Sequence, residues 1–353
     1  VKPPQLVIVG ATATGKSAVA LAAARLLGAE IVCVDAMTVY RGMDIGTAKA
    51  GATERAEIPH HLLDLFEPTE ESSLARFVEQ GRSVLADLER RGVPAVLVGG
   101  TGLYVDALVD DLELPGRWPG IRARLEAELA DGSSSPEQLH ARLAALDPLA
   151  ASRIEPGNAR RSVRALEVCL GSGRPFSSFG PGLQAARERS GGDRSGSAHA
   201  GGGDGGGGDG GGGVGRAMVG IRRSRASLAA RIRARYEAQL AAGFVEEAAG
   251  LLARHGDALS RTACQALGYR EIWDALEHGT PIADAVETAI TRTFAFAKRQ
   301  ERWFRRDPRI TWLDADALDR SDGPDADAPD ADAPDAVAEL ARRSLERLGH
   351  WER

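Results

Sequence analysis

Residues 10–17 read GATATGKS, a complete match to G-x-x-x-x-G-K-[ST], and no other stretch of the chain restricts its fold as much. The run follows the apolar segment LVIVG (6–10) and opens AVALAAARLLG (18–28), whose apolar residues recur at helical spacing. A strand that turns through glycine directly into a helix aims successive N–H groups at one point, beside the positive end of the helix dipole. A phosphate group is therefore expected there. Gly10, Ala11, Thr12, Ala13, Thr14 and Gly15 would form the cradle, Lys16 the compensating charge, and Ser17 a hydroxyl suited to Mg2+. The motif leaves open whether the phosphate belongs to ATP or to another pyrophosphate ester.

Further apolar runs, EIVCVDA (30–36), AVLVGG (95–100), AMVGI (217–221) and ITWLD (310–314), read as buried strands separated by helical segments. Continuous rather than alternating apolar strands belong to a parallel sheet covered on both faces. The expected class is α/β, a P-loop NTPase-like parallel sheet flanked by helices with a helical insertion domain. Residues 1–111 supply the first part of the core. Strand signals vanish over 112–181, where IRARLEAELAD (121–131), PEQLHARLAALD (136–147) and NARRSVRALEVCLGSG (158–173) are helical by spacing. The tract 182–215 contains GGGDGGGGDGGGG and is expected to be a disordered loop without catalytic residues. Core sequence resumes over 216–314. An acidic Asp/Ala/Pro tail follows over 315–353, with a terminal helical piece that either docks back or stays free.

The net charge of −6 speaks against a nucleic-acid partner only on average, because the acid is concentrated in the tail. Arg216, Arg222, Arg223, Arg225, Arg231, Arg233 and Arg235 form a run free of acids. A second run, from Arg292 to Arg306, interleaves with Phe294, Phe296, Trp303 and Phe304. That mixture suits phosphate contact with base stacking, and equally suits an amphipathic helix with aromatics in the core and arginine in solvent. Asp35 closes the second strand, on the side of the sheet where the phosphate turn lies. It could act as a general base, cap its own loop, or order Mg2+ through water. His60 and His61 read as a loop packed near the crevice rather than a metal site. Cys33, Cys169 and Cys264 lack metal spacing and read as reduced thiols. The first apolar run is too short for a signal peptide, and no stretch approaches the length of a membrane span, so the chain is expected to be soluble and cytoplasmic.

Six segments carry a resemblance: DAMTVYRGMDIGTAK (35–49), PHHLLD (59–64), VGGTGLY (98–104), RRSVRALEV (160–168), LGYREIW (267–273) and AKRQERWF (297–304). In this order they resemble the tRNA dimethylallyltransferase (tRNA isopentenyltransferase) family over most of residues 5–314. The resemblance implies transfer of a dimethylallyl group from dimethylallyl pyrophosphate to N6 of the adenosine just 3′ of the anticodon. The partner would be the anticodon stem-loop of tRNA, with Mg2+ as cofactor, no membrane, and a monomeric enzyme. It further implies that the 10–17 turn holds pyrophosphate and that Asp35 is the base. Thr101 would lie beside both substrates, and Arg225 near the pyrophosphate. The contacts to tRNA it implies are Asp35, Ala36, Met37, Thr38 and Thr101 at the target nucleotide, and Arg122, Arg124, Arg160, Arg161, Ser162, Val163 and Arg164 on the insertion. The chain departs from the family pattern at Ala11 (usually Pro), Thr14 (Ser), Ala36 and Thr38 (Ser and Gln), Arg160 (Gln) and Arg270 (Lys). Ala36 cannot hydrogen-bond a base and Thr38 reaches less far than Gln, so these changes bear on adenine recognition. Two rivals share the phosphate turn: a prenyltransferase acting on free adenine nucleotides, and a small-molecule kinase.

Overall fold

The computed structural model describes residues 2–110, 112–179, 216–319 and 334–348. The Gly-rich tract (182–215) and the Asp/Ala/Pro repeats from 320 to 333 lie outside the described residues. The chain divides into two compact units, Val1–Val105 with Gly196–Arg353, and Asp106–Ser195.

The first unit is built on a sheet of six strands: β1 (Gln5–Gly10), β2 (Glu30–Cys33), β3 (His60–His61), β4 (Ala95–Gly99), β5 (Arg216–Arg222) and β6 (Ile310–Asp314). Their order is β3-β2-β4-β1-β5-β6, and every pairing is parallel. β1 sits inside, flanked by β4 and β5, and Leu6 to Val9 are all buried, which is why its sequence is apolar without alternation. The flanking helices in the first half are α1 (Lys16–Leu27), α2 (Ala52–Glu57) and α3 (Leu74–Arg91), and α4 (Gly102–Val109) spans the unit boundary in sequence.

His60 and His61, expected in a loop, form the edge strand β3, pairing with Ile31 and Val32. Two residues are too few to show a period, so the sequence carried no strand signal. His61 Nε2 and Glu30 Oε2 lie 2.6 Å apart, and Arg91 adds two bonds to the same carboxylate at 2.7 and 2.9 Å. Arg91 foremost, with His61 assisting and burial opposing, holds the Glu30 carboxyl down at about 2. Through Glu30, His61 thus ties the sheet edge to α3.

The second unit contains α5 (Pro119–Ala130), α6 (Pro136–Leu146), α7 (Pro148–Ala151) and α8 (Ala159–Ser172), and no strand among its described residues. Proline at the first turn of α5, α6 and α7 suits positions whose N–H has no helical partner. Ser135 and Gln138 form a capping box on α6, and Asn158 caps α8 through the Arg161 N–H. Leu125, Leu139, Leu143, Val163 and Leu166 close a small core of their own.

The first unit resumes with α9 (Arg225–Ala241), α10 (Phe244–His255), α11 (Tyr269–His278) and α12 (Ile282–Phe304), then α13 (Ala315–Asp319) after β6, and α14 (Pro334–Glu346). Of the two alternatives for the terminal helical piece, docking is realised. Ala336, Leu340 and Ala341 of α14 join one buried cluster with Val19, Ala20 and Ala23 of α1. The small side chains of both helices permit a close approach.

Candidate active site

The phosphate turn has the alternating backbone its motif requires. Ala13 (φ 62°) and Gly15 (φ 90°) are left-handed, and Gly15 caps α1. Such alternation gathers consecutive N–H groups into an anion-binding concavity. Thr14 Oγ1 donates to the Ala11 carbonyl at 2.9 Å, and Lys16 Nζ folds back to the same oxygen at 3.3 Å. Burial draws Lys16 down to about 8, opposed by the charge of Asp35 and reinforced by that of Arg235. Those influences put Lys16, Asp35 and Arg235 in one electrostatic space. Ser17 is exposed on the first turn of α1.

Three arginines reach the turn from the β5–α9 segment. Arg223 Nε donates to the Thr14 carbonyl at 3.2 Å, Arg231 Nε to the Ala13 carbonyl at 2.8 Å, and Arg235 Nη1 to the Thr14 neighbour Thr12, at its Oγ1, also at 2.8 Å. Arg231 and Arg235 stand one helical turn apart and so share a face of α9. Asp316 accepts from Arg223 at 3.1 Å and from the Ser224 N–H at 2.7 Å, which anchors the start of α9. Arg225, the residue expected near the pyrophosphate, does not hydrogen-bond to the turn. It is the exposed first residue of α9 and makes no hydrogen bond or ion pair among the described residues. The i, i+4 spacing of Arg231 and Arg235 behind a strand adjacent to β1 was the available signal for the residues that do reach the turn.

Asp35 lies two residues beyond the end of β2. Its Oδ1 accepts the Met37 N–H at 2.8 Å and the Thr38 N–H at 3.4 Å. The loop-capping alternative is thus met by one oxygen. Oδ2 makes no hydrogen bond among the described residues. Thr101 Oγ1 accepts the Ala36 N–H at 3.2 Å, which brings the turn after β4 against the turn after β2. The Thr38 hydroxyl is buried without a hydrogen-bond partner. Beyond this, Glu247 of α10 accepts the N–H groups of Asp44 at 3.1 Å and Ile45 at 2.9 Å, and Gln239 Nε2 donates to the Ile45 carbonyl at 2.6 Å. The 35–49 segment is therefore clamped at both ends. Burial together with Asp35's charge pushes the Cys33 thiol up to about 12, which leaves it inert.

Within the second unit the expected tRNA-contacting residues separate. Arg160 and Arg161 are exposed on the first turn of α8. Ser162 and Val163 are 0% and 2% exposed, so their side chains face inward and cannot meet a partner. Helical geometry makes that unavoidable, since five consecutive residues cannot share one face. Arg164 is partly buried, 2.9 Å from Glu167 and 3.1 Å from the Pro115 carbonyl. Arg122 and Arg124 pair along α5 with Glu126 at 2.9 Å and Glu128 at 4.0 Å. On α12 of the first unit, the aromatic run divides between core and surface. Phe304 is core, whereas Phe294 and Phe296 are half-buried beneath Lys298 and Arg299, at 4.3 and 5.7 Å.

No cluster of three or more His, Cys, Asp or Glu that could hold a metal occurs among the described residues. Among those residues, too, no helix is long and apolar enough to cross a membrane.

Comparison with known proteins gives a consistent result. A family profile described as IPP transferase matches residues 38–307, and one described as isopentenyl transferase matches 5–61. The tRNA dimethylallyltransferase of Kineococcus radiotolerans is 44% identical over 351 residues, covering 98% of this chain and 96% of that relative. The tRNA dimethylallyltransferase of a Nocardioides species is 44% identical over 312 residues, 88% of this chain and 91% of its own. The crystal structure of the full-length tRNA isopentenylpyrophosphate transferase from Bacillus halodurans superposes with a TM-score of 0.61 at 30% identity, covering 99% of this chain and 97% of that one.

Proposed function

The chain belongs to the IPP transferase family of tRNA dimethylallyltransferases, and on that premise we propose how its residues carry out the transfer. A dimethylallyl group passes from dimethylallyl pyrophosphate to N6 of the adenosine immediately 3′ of the anticodon, with release of pyrophosphate. The observation that supports this reading best is the shared space of Lys16, Asp35 and Arg235 at the carboxyl ends of β1 and β2. It pairs a cationic cradle for a leaving pyrophosphate with a carboxylate positioned to take a proton.

The N6 lone pair of adenine is delocalised into the ring, so nitrogen attacks carbon well only as its proton departs. Asp35 Oδ2 accepts that proton while Oδ1 stays tied to the loop. The carbon–oxygen bond to pyrophosphate breaks, and the developing charge falls on the amides of the turn, on Lys16, and on the arginines of α9. Mg2+ fits the donor set through Ser17. With no acidic cage at hand, it would be held by the Ser17 hydroxyl together with pyrophosphate oxygens and water, a common arrangement for this ion. When bound it neutralises part of the charge on the leaving group. An anticodon loop suits the reaction because its bases are already unpaired and cheap to extrude. Arg160 and Arg161 are the insertion residues free to meet its backbone. We propose a cytoplasmic reaction, carried out by a monomer.

The test is transfer by the purified protein from dimethylallyl pyrophosphate to an anticodon stem-loop, read by mass spectrometry of the digested RNA. A gain of one dimethylallyl group on the adenosine beside the anticodon is expected. Efficient transfer to free AMP in place of the RNA, or release of γ-phosphate from ATP to a small acceptor, would refute the proposal.

The arginine assignment has its own consequence. Arg235→Ala is expected to weaken binding of inorganic pyrophosphate by about 10- to 100-fold, the range of a charge-assisted hydrogen bond. Arg225→Ala should change it by less than about 2-fold, as befits an exposed charge. Isothermal titration of both variants decides the matter, and the reverse order would restore Arg225 as the leaving-group arginine.

A further inference from the structure

Gln300 of α12 is 6% exposed, and its side-chain amide bridges two turns of the site. Its Oε1 accepts the Thr12 N–H at 2.8 Å, and its Nε2 donates to the Gly100 carbonyl at 2.9 Å. On one side, Thr12 is also held by Arg235 through its hydroxyl, at 2.8 Å. On the other, Gly100 precedes Thr101, whose hydroxyl accepts the Ala36 N–H at 3.2 Å, next to Asp35. A continuous line of contacts thus runs from the pyrophosphate cradle to the carboxylate, and Gln300 is its middle link.

The seating of α12 on the 100–102 turn is close. A Cβ at Gly100 would lie 2.4 Å from Gln300 Nε2, and one at Gly102 would lie 2.1 Å from Trp303 Cδ1. The glycines of VGGTG therefore admit the helix, and Gln300 has little room to move. A carboxamide offers a donor and an acceptor at the same reach, which neither Glu nor Met does.

We propose that Gln300 is a positioning residue that sets the distance between the pyrophosphate cradle and the Asp35 carboxylate. It also draws the Thr12 N–H away from the anion, leaving the amides from Ala13 onward to bind it. This inference rests on the transfer reaction proposed above.

Binding of pyrophosphate needs only the cradle, whereas transfer needs the cradle and the base in register. A misplacement of about 1 Å between reacting groups costs on the order of 10²-fold in rate. Gln300→Met, similar in length but without either hydrogen bond, should lower kcat for the stem-loop by about 10- to 100-fold. Its Kd for inorganic pyrophosphate should move by less than about 3-fold, since the cradle amides and Lys16 remain. Gln300→Glu keeps the acceptor for Thr12 but sets a carboxylate against the Gly100 carbonyl and the bound anion. Its KM for the prenyl donor should rise by about 10-fold or more, with kcat lowered as well.

The measurements are single-turnover transfer, calorimetric titration with inorganic pyrophosphate, and a thermal melt of each variant. Lost turnover with retained pyrophosphate binding in a folded Met variant supports the proposal. A Met variant that turns over within about 2-fold of the parent overturns it, as does one whose turnover and pyrophosphate affinity fall in step. Should the Met variant fail to fold, the Glu variant decides: parent-like kcat and KM in that protein overturn the proposal. A parent protein that does not modify the stem-loop would overturn the transfer reaction itself, a separate result.

Discussion

Replacing Asp35 by alanine is expected to lower transfer to the anticodon stem-loop by about 10³-fold, near the middle of the range for general-base catalysis. Below neutral pH, where Lys16 keeps its proton, the same variant should bind inorganic pyrophosphate as tightly as the parent, or somewhat more tightly, because one negative charge has left the neighbourhood of the anion. The two effects separate because the cradle is built from the turn after β1, Lys16 and the arginines of α9, none of which hydrogen-bonds to Asp35. Alanine also removes the acceptor for the Met37 and Thr38 N–H groups, so the loop after β2 could loosen. Asp35→Asn controls for that, since its side-chain oxygen preserves the cap while its amide cannot take a proton. If Asn restores transfer to within about 10-fold of the parent, Asp35 serves the loop rather than the chemistry. Pyrophosphate affinity that collapses together with turnover in both variants would also contradict the role as base.

The parts of this site that could be read from sequence are those written in contiguous residues. GATATGKS specifies its own turn, because the strand, the glycines and the helix follow one another without a gap. Asp35 could be placed in the same crevice because both lie just past carboxyl ends of parallel strands, a property of topology rather than of packing. The remainder depends on residues distant in the chain. Gln300 meets Thr12 across 288 positions, and Arg235 meets it across 223. Nothing local marks Gln300 as different from its neighbours on an amphipathic helix, and the i, i+4 spacing of Arg231 and Arg235 becomes a signal only with β5 placed beside β1. The family resemblance singles out Arg225, but the inward face of α9 is settled by where Leu228, Ile232 and Tyr236 bury, and Arg231 and Arg235 flank that stripe. The stretch 160–164 shows the converse error. A motif read as a string treats five residues as equivalent, whereas a helix turns Ser162 and Val163 inward and leaves Arg160 and Arg161 outside.

Lys16 is expected to make donor binding sensitive to pH, in the direction opposite to its effect on stability. Burial draws this lysine from the usual range down to about 8 in the protein without donor. A bound pyrophosphate would favour the charged form, so only the protonated lysine binds the anion well. The kcat/KM for dimethylallyl pyrophosphate should therefore hold level up to about pH 8 and fall above it, approaching tenfold per pH unit, because this ratio reports the free protein. Stability runs the other way. Between about pH 8 and the ordinary lysine range the unfolded chain binds more protons at this position than the folded one, so Lys16 makes unfolding harder as pH rises through that interval. Keeping the charge buried at neutral pH costs the folded protein roughly 3 kcal/mol, at about 1.4 kcal/mol for each pH unit by which the group is displaced. Lys16→Met should remove the limb above pH 8, reduce donor binding at pH 7 by about 10²-fold or more, and raise the melting temperature at neutral pH, since a buried charge has been replaced by an apolar side chain of similar length. Because Asp35 supports the proton on Lys16, Asp35→Asn should carry the limb to lower pH, a displacement measurable by pyrophosphate titration even where turnover is lost. A profile for the parent that stays flat to pH 9.5, or a limb that survives in Lys16→Met, would show that this lysine does not carry the charge that grips the departing pyrophosphate.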